Sequence, residues 1–356
     1  MPVNKMEIVE LTDKKGKERF ILFRRNLYRG DGNYVSTSEF VLSDLLYERT
    51  EFSLSCNVLP VAVTEEGSIL CEAVFMYNKK LPYFQVGFFE ALKDVPSAVK
   101  TLLDYAKEKA KGFGADEIVI GLNAHISYGV GLLTGGFDYK NSFDSNYNKS
   151  YYESYFEGMR SASLSTYRGV KKLGEEKLLK AGSPVTVRHA DMKNFEREAE
   201  NMRLLCEKTI SKTFMYFPTE KGHFYELMRD LKPFLKGENL LFAEDATGKA
   251  VGFLFWHPDF NQMLAGGRNY STFGIALAWI FGRNKIDTAK LNAIGSLSVG
   301  ATNGLINEFE RVLGDRYKYV ETNFVWDNNI PSSLINRRFF GEPHRKYKVF
   351  FTNVTD

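Results

Sequence analysis

The residue types that most often carry chemistry are scattered along this sequence of 356 residues. The three cysteines, Cys56, Cys71 and Cys206, show no CxxC or CxH spacing, so the pattern predicts no metal site and suits a reducing compartment. The five histidines occur singly, and no cysteine or serine has a visible partner base. These patterns do not indicate metal-assisted catalysis or a covalent enzyme intermediate.

Composition and charge exclude several other classes of function. The 47 basic and 44 acidic residues nearly balance, whereas a protein that binds DNA needs a clustered basic surface. The most apolar stretch, residues 273–281, is too short to cross a bilayer of about 30 Å, and the N-terminus lacks the apolar core of a signal peptide. We therefore expect a soluble cytoplasmic protein with no DNA or membrane partner.

Strand-like and helix-like segments alternate in both halves of the chain. Residues 19–23 and 83–89 read as strands, and apolar residues at helical spacing from Pro96 predict a helix that leads to a strand at 117–120. In the second half, residues 239–256 predict a hairpin. We expect an α/β fold with mixed sheets, divided into domains at 1–180 and 181–356 by a linker within 171–184.

Four groups of segments, in this order, resemble a bacterial family of tandem GNAT-fold proteins described as N-acetyltransferases. They are Gly87-Phe88-Phe89-Glu90; Gly121-Leu122-Asn123 with residues 131–138; residues 248–253 with 258–261; and residues 321–329 with Gly341 and residues 346–350. The resemblance implies two GNAT-like domains, each with a central mixed sheet. It also implies acetyl-CoA or another acyl-CoA as co-substrate and an amine that attacks the thioester directly.

The resemblance places the diphosphate of acyl-CoA between a strand at 290–297 and the next helix. Backbone N–H groups at a helix N-terminus favour an anion there, and glycines let the backbone approach it. The predicted contacts are Leu297, Ser298, Val299, Gly300, Thr302, Asn303, Gly304 and, further on, Asn329. We expect Thr302 or Asn303 to cap the helix. Because no Arg or Gln precedes Gly300, a plain turn with packing glycines stays open as an alternative.

The resemblance also suggests which residues handle protons. Glu321, on a predicted strand, is the candidate general base, and His257 is a second candidate that we interpret as a surface-turn residue. The tyrosine that many such enzymes place about seven residues after Asn329 would fall at Asn336, so Tyr347 is the substitute candidate for the acid. In the first half, residues 89–94 lack glycine and carry two carboxylates, so we expect that domain to be degenerate for CoA.

Three functions remain open from the sequence. The first is an acyl-CoA-dependent N-acyltransferase acting on a small-molecule amine or amino-acid-like acceptor. The second is a catalytically inactive GNAT-fold binding module, which the altered loop and the missing tyrosine favour. The third is a Fem-type transferase that takes aminoacyl-tRNA, against which the balanced charge argues.

Overall fold

The computed structural model describes residues 5–170 and 185–355, which form two compact units. The first unit comprises Met1–Leu164, Leu264–Ala278 and Arg345–Asp356, and the second comprises Ser165–Met263 and Trp279–His344. The predicted linker within 171–184 and the predicted boundary at 180 lie outside the described residues. The proposed division into two consecutive domains therefore stays a prediction.

The elements of the first part of the chain belong to the first unit, apart from the end of the last strand. In chain order they are β1 (Met6–Glu10), α1 (Lys14–Leu27), α2 (Ser38–Leu46), α3 (Glu51–Leu54), β2 (Asn57–Glu65), β3 (Ser68–Tyr77), β4 (Tyr83–Ala91), α4 (Pro96–Phe113), β5 (Glu117–Ile120), β6 (Leu132–Gly135) and β7 (Arg160–Thr166).

The later elements belong mainly to the second unit, although α7 begins in the first unit and β15 lies wholly within it. They are β8 (Arg168–Val170), β9 (Thr186–His189), α5 (Phe195–Thr209), α6 (Lys221–Leu231), β10 (Leu240–Glu244), β11 (Ala250–Pro258), α7 (Thr272–Gly282), β12 (Thr288–Ser296), α8 (Val299–Leu313), β13 (Tyr319–Thr322), β14 (Val325–Trp326), α9 (Ile330–Phe340) and β15 (Arg345–Asn353).

Each unit is built on a mixed sheet, as the sequence predicts. In the first unit the strand order is β1-β2-β3-β4-β5-β15-β7, with β6 paired to β15, and β4 and β5 run parallel. In the second unit the order is β8-β13-β12-β11-β10-β9, and β12 and β13 run parallel. The same strand–helix–strand unit thus recurs as β4-α4-β5 and β12-α8-β13.

Helix α4 follows from the apolar spacing in its sequence. Ala98, Val99, Leu102 and Ala106 lie on one face and join the core cluster over the sheet of the first unit. Gly114 ends the helix in the left-handed conformation, with φ +73°, which glycine adopts without steric cost. The predicted helix is confirmed.

The prediction of a strand at residues 19–23 is wrong, because these residues lie within α1. Asp13 caps this helix by accepting from Gly16 N at 2.6 Å, and the buried residues Phe20, Ile21 and Arg24 recur at helical spacing. The N-cap and the burial of one helix face outweigh the local strand preference of residues 19–23.

A carboxyl group inside the first unit has no hydrogen-bond partner among residues 5–170 and 185–355. Glu72 on β3 is 0% exposed and stands in register with Glu90 on β4. Glu90 pairs with Arg24 at 2.8 Å and accepts from Tyr28 and Tyr152, each at 2.7 Å. Burial, and next the charge of Glu90, raise the pKa of Glu72 well above its ordinary value of 4.5.

We expect Glu72→Gln to change how stability depends on pH. Above pH 4.5 the unfolded chain releases the Glu72 proton, whereas the folded chain retains it, so this group lowers stability as pH rises towards its folded-state pKa. Between about pH 5 and pH 8, the free energy of unfolding of the variant should therefore gain on that of the wild type, by roughly 1–3 kcal/mol. Urea unfolding across this range measures the difference.

The matched control is Glu108→Gln on the exposed face of α4, which should leave the pH dependence unchanged. Parallel stability curves for Glu72→Gln and the wild type would contradict a protonated, buried Glu72.

Candidate functional site

The parallel strands of the second unit separate part of the way along β12. Their register runs from Thr288 opposite Tyr319 to Leu291 opposite Thr322, and Asn323 N then donates to Leu291 O at 2.8 Å. Beyond this bond β12 continues to Ser296. Its first three residues are buried, whereas residues 292–294 and 296 are only half-buried. The edge of β12 past Leu291, which we call the β12 edge, is therefore no longer paired with β13 and is only partly buried.

A β-bulge marks the position of this separation. On β11, Phe255 stands opposite Ala293 and Trp256 stands opposite Leu291, so Asn292 is the extra residue on β12. A bulge bends its strand and increases the local twist, which turns β12 away from β13 where their pairing ends. The first unit repeats this construction with a register shift between β3 and β4, at which Phe88 has φ +49°.

Helix α8 begins directly after the β12 edge. Ser298 is its N-cap and accepts from Ala301 N at 3.2 Å, and Thr302 N donates to Ser298 O at 3.1 Å. The prediction that Thr302 or Asn303 caps the helix is therefore wrong. Serine is among the best N-caps, and the chain takes this earlier option, which leaves Asn303 inside the helix.

The first turn of α8 is open to solvent. Leu297 and Val299 are 53% and 49% exposed, and Ser298 is exposed as well. The amides of Val299 and Gly300 precede the first intrahelical bond, and neither has an acceptor within residues 5–170 and 185–355. With 15 residues behind it, this helix end carries a favourable potential for an anion.

Two of the predicted contacts have evident local roles. A Cβ on Gly304 would lie 2.9 Å from Val185 Cγ2 and 3.1 Å from Val187 Cγ2, so this glycine lets α8 approach β9 closely. The Thr302 hydroxyl lies 2.5 Å from Ser296 Oγ, which ties the helix to the end of β12. The contacts that the sequence predicts between these two residues and a cofactor stay predictions.

Asn329 is the N-cap of α9, because its side-chain oxygen accepts from Ser332 N at 3.3 Å. Asn336, at the position where the resemblance implies a tyrosine, donates to Ser332 O at 2.8 Å and is fixed to its own helix. The capping role that the sequence left open for Asn329 is thus present.

The candidate base Glu321 lies inside the sheet of the second unit. It is 2% exposed on β13, in register with Lys290 on β12 and with Arg168 on β8. Arg168 donates to Thr288 Oγ1 at 3.1 Å and covers the Tyr319 ring at 4.0 Å. Cationic residues on both neighbouring strands therefore flank this carboxylate.

Two other candidates lie on the strands β15 and β11. Tyr347 belongs to β15 of the first unit, where it is 2% exposed and stands opposite Leu133. His257 is buried in β11, with its ring parallel to Phe260 at 5.4 Å between centroids. The surface-turn interpretation of His257 is wrong, because β11 extends through Pro258.

In the first unit, the corner between β4 and α4 is the equivalent of the corner between β12 and α8. Side chains of the same unit bond to its amides. Phe88 N donates to Asn123 Oδ1 at 2.7 Å, Ala91 N to the Tyr152 hydroxyl at 2.8 Å, and Val95 N to the Tyr155 hydroxyl at 3.3 Å. All nine residues of β4 are buried. The first two bonds occupy amides of β4 that correspond to the β12 edge, and the third occupies the amide of the α4 N-cap, which corresponds to Ser298. Pro96, which has no N–H, then stands where α8 has Val299.

A surface depression of about 580 Å³ lies elsewhere in the second unit. It surrounds the N-terminal end of α5, and charged residues such as Lys193, Arg197 and Lys232 line it. The opposite end of α5, about 22 Å away by helix length, carries Thr209, which packs on Gly295 of β12. We therefore do not assign the depression to the β12–α8 corner.

Residues 5–170 and 185–355 show neither a metal-binding cluster nor a membrane-spanning helix. In this part of the chain, no group of three or more His, Cys, Asp or Glu side chains is arranged to hold a metal ion. None of the helices there combines the length and apolar content that a membrane crossing needs.

Comparison with known proteins gives matches only among solved structures. No model of a protein family matches the sequence, and no curated protein is significantly similar to it. A tandem GNAT protein from the clavulanic acid biosynthesis pathway is similar in structure, with a TM-score of 0.54, 9% identity, and coverage of 98% of this chain and 99% of that one.

Two further structures have the same fold. A GCN5-related N-acetyltransferase from Sphaerobacter thermophilus has a TM-score of 0.52, 11% identity, and coverage of 98% of this chain and 96% of its own. A probable N-acyltransferase from Enterococcus faecalis V583 has a TM-score of 0.51, 6% identity, and coverage of 98% and 72%. At these identities the similarity establishes the fold alone. The predicted tandem GNAT-like fold is confirmed.

We expect Asn123→Ala to destabilise the first unit. The substitution removes the acceptor of the buried Phe88 N–H, and an unsatisfied buried donor costs roughly 1–3 kcal/mol. Urea unfolding should show this loss, whereas Asn57→Ala, at an exposed strand end, should not. Equal stability of the two variants would show that the Asn123 bond does not hold this corner closed.

Proposed function

We propose that this protein transfers an acyl group from acetyl-CoA or another acyl-CoA to the nitrogen of a small-molecule amine or amino-acid-like acceptor. The second unit holds the acyl-CoA. One contrast carries the proposal: β12 is half-buried past its pairing with β13, whereas the amides of Phe88 and Ala91 on β4 are bonded to side chains of the first unit. At the helix start, Val299 offers an amide where α4 has Pro96, which has none.

The residues at this corner fit acyl-CoA. Val299 and Gly300 offer amide donors for a diphosphate, and residues 297–302 contain no acidic side chain that would repel it. The β12 edge offers backbone groups to an extended arm that carries amides, and the exposed Leu297 offers apolar surface. Bound acyl-CoA supplies the activated thioester carbonyl that the amine attacks.

Proton handling is assigned to the candidates named from the sequence. Glu321 is the candidate base that receives the proton of the acceptor amine, through a relay because its side chain is buried. Tyr347 is the substitute candidate for the acid that protonates the departing thiolate. Asn329 holds the start of α9 and offers its remaining polar atoms to the arm of the co-substrate.

Substitutions at Ser298 test the phosphate position without removing the helix cap. Aspartate and asparagine both cap helices well, so Ser298→Asp and Ser298→Asn should leave the melting temperature close to that of the wild type. The aspartate adds a negative charge beside the diphosphate, and we expect it to weaken acetyl-CoA binding roughly tenfold or more. Isothermal titration calorimetry measures the binding, and the asparagine variant should match the wild type.

Failure of the wild type to bind acetyl-CoA, or longer acyl-CoAs, at millimolar concentration would overturn the proposal. Equal affinity of the two Ser298 variants would move the diphosphate away from α8 while leaving the fold assignment intact.

We expect Glu321→Gln to lower turnover without changing the affinity for acetyl-CoA. Loss of a general base lowers turnover by about 10²–10⁴-fold, while the acetyl-CoA affinity should remain that of the wild type. The assay follows CoA thiol release with a panel of amines, and the melting temperature of the variant confirms that it folds. Unchanged turnover would remove Glu321 from the proton path.

A second candidate function is a catalytically inactive module that binds acyl-CoA. One observation favours it, namely that Asn336 stands where the resemblance implies the acid and is bonded within α9. Acetyl-CoA binding without transfer to any amine of the panel would support this second function.

A further inference from the structure

In the second unit, the segment that follows α5 (residues 210–214) begins beside Gly295 of β12 and ends against Trp326 of β14. Thr209, the last residue of α5, packs on Gly295 of β12 so closely that a Cβ on this glycine would collide with its hydroxyl. A few residues later, Phe214 contacts Trp326 of β14 edge-to-face, with 5.0 Å between ring centroids and an interplanar angle of 88°. The segment thus leads from β12 to the continuation of β13.

The aromatic cluster at its far end consists of Phe214, Phe324 and Trp326. Phe324 meets Trp326 at 6.3 Å between centroids. Phe214 is 37% exposed and Phe324 is half-buried, whereas Trp326 is only 3% exposed. The cluster therefore presents two partly open aromatic rings supported by a buried indole.

The cluster begins where β12 and β13 separate. Asn323 donates to Leu291 O in the last bond between the two strands, and Phe324 is the next residue. The rings thus lie at the end of the opening from which the β12 edge starts.

Two buried polar atoms, one of them in the cluster, make no hydrogen bond to the described part of the chain. Trp326 Nε1 and Thr166 Oγ1 are shielded from solvent and make no hydrogen bond within residues 5–170 and 185–355. Ser165, next to Thr166, donates to Asp327, next to Trp326, at 3.0 Å. An indole N–H is a donor only, and leaving it buried without an acceptor is costly.

We propose that this aromatic cluster is the acceptor subsite and that it selects an amine with an aromatic body and a hydrogen-bond-accepting oxygen. This inference rests on the proposed acyl transfer. Phe214 and Phe324 pack against the aromatic body, and Trp326 Nε1 donates to the oxygen. The exposed carboxylate of Asp327 favours a cationic amine over an anionic acceptor.

Binding of defined amines tests the inference without an activity assay. Phenylalaninamide carries the ring, the amine and the oxygen; phenethylamine lacks the oxygen; and alaninamide lacks the ring. We expect the wild type to bind phenylalaninamide about tenfold more tightly than either of the other two. Calorimetry gives the affinities, with and without acetyl-CoA, and quenching of tryptophan fluorescence reports the same binding.

Two variants separate the contribution of the indole hydrogen bond from that of the aromatic rings. Trp326→Phe keeps a ring but removes the donor, so phenylalaninamide should lose most of its advantage over phenethylamine while acetyl-CoA affinity stays unchanged. Phe214→Ala, at a partly exposed ring, should weaken both aromatic probes by about the same factor. The matched control is Trp279→Phe, because Trp279 contacts Phe234 and Phe260 instead, and it should change none of these affinities.

The outcomes separate this inference from the proposed function. If acetyl-CoA binds but the three amines bind equally, or if Trp326→Phe retains the preference for the oxygen, the acceptor subsite is refuted and acyl transfer stands. If acetyl-CoA does not bind, the proposed function fails first and the inference falls with it.

Discussion

The hydrogen bond from Asn323 N to Leu291 O is the last link between the two parallel strands of the second unit. Beyond it, the bulge at Asn292 turns β12 away, and backbone groups that a continuing partner strand would cover become accessible. The helix end at Ser298 and the aromatic cluster at Phe324 both begin within a few residues of this separation. Their accessibility depends on where the pairing stops.

The first unit has the same strand–helix–strand construction, but side chains close the corner between its strand and helix. Its parallel pair also ends early, since Gly121 N donates to Val86 O just before β4 continues alone. There a buried backbone donor needs an acceptor, and the side chains of Asn123, Tyr152 and Tyr155 supply it. The two units therefore share a backbone plan, and side chains outside the strand–helix–strand unit decide whether its corner is open.

Local sequence patterns predicted much of the fold because the spacing of apolar residues reflects which face of a single helix or strand is buried. The periodicity of α4 and the turn between β10 and β11 are of this kind, and both elements are present. Whether the corner between strand and helix is open or closed depends instead on residues distant in the sequence. Tyr152 reaches the end of β4 and Tyr155 reaches the N-cap of α4, each about sixty residues earlier, and the bulge at Asn292 follows from pairing between strands. No short-range pattern carries that information, and the N-cap was misplaced because Ser298, Thr302 and Asn303 are all good caps.

Both units contain buried polar groups with no partner in the part of the chain that the structure describes, but Glu72 and Trp326 differ chemically. Glu72 can lose its charge by retaining a proton, so the first unit tolerates it without any external group. The indole N–H of Trp326 has no such alternative, because it does not titrate and cannot accept. It has no acceptor among the described residues, and the oxygen of the proposed acceptor amine would supply one. For this reason the proposed acceptor subsite is built on the Trp326 donor of the second unit rather than on the buried acid of the first.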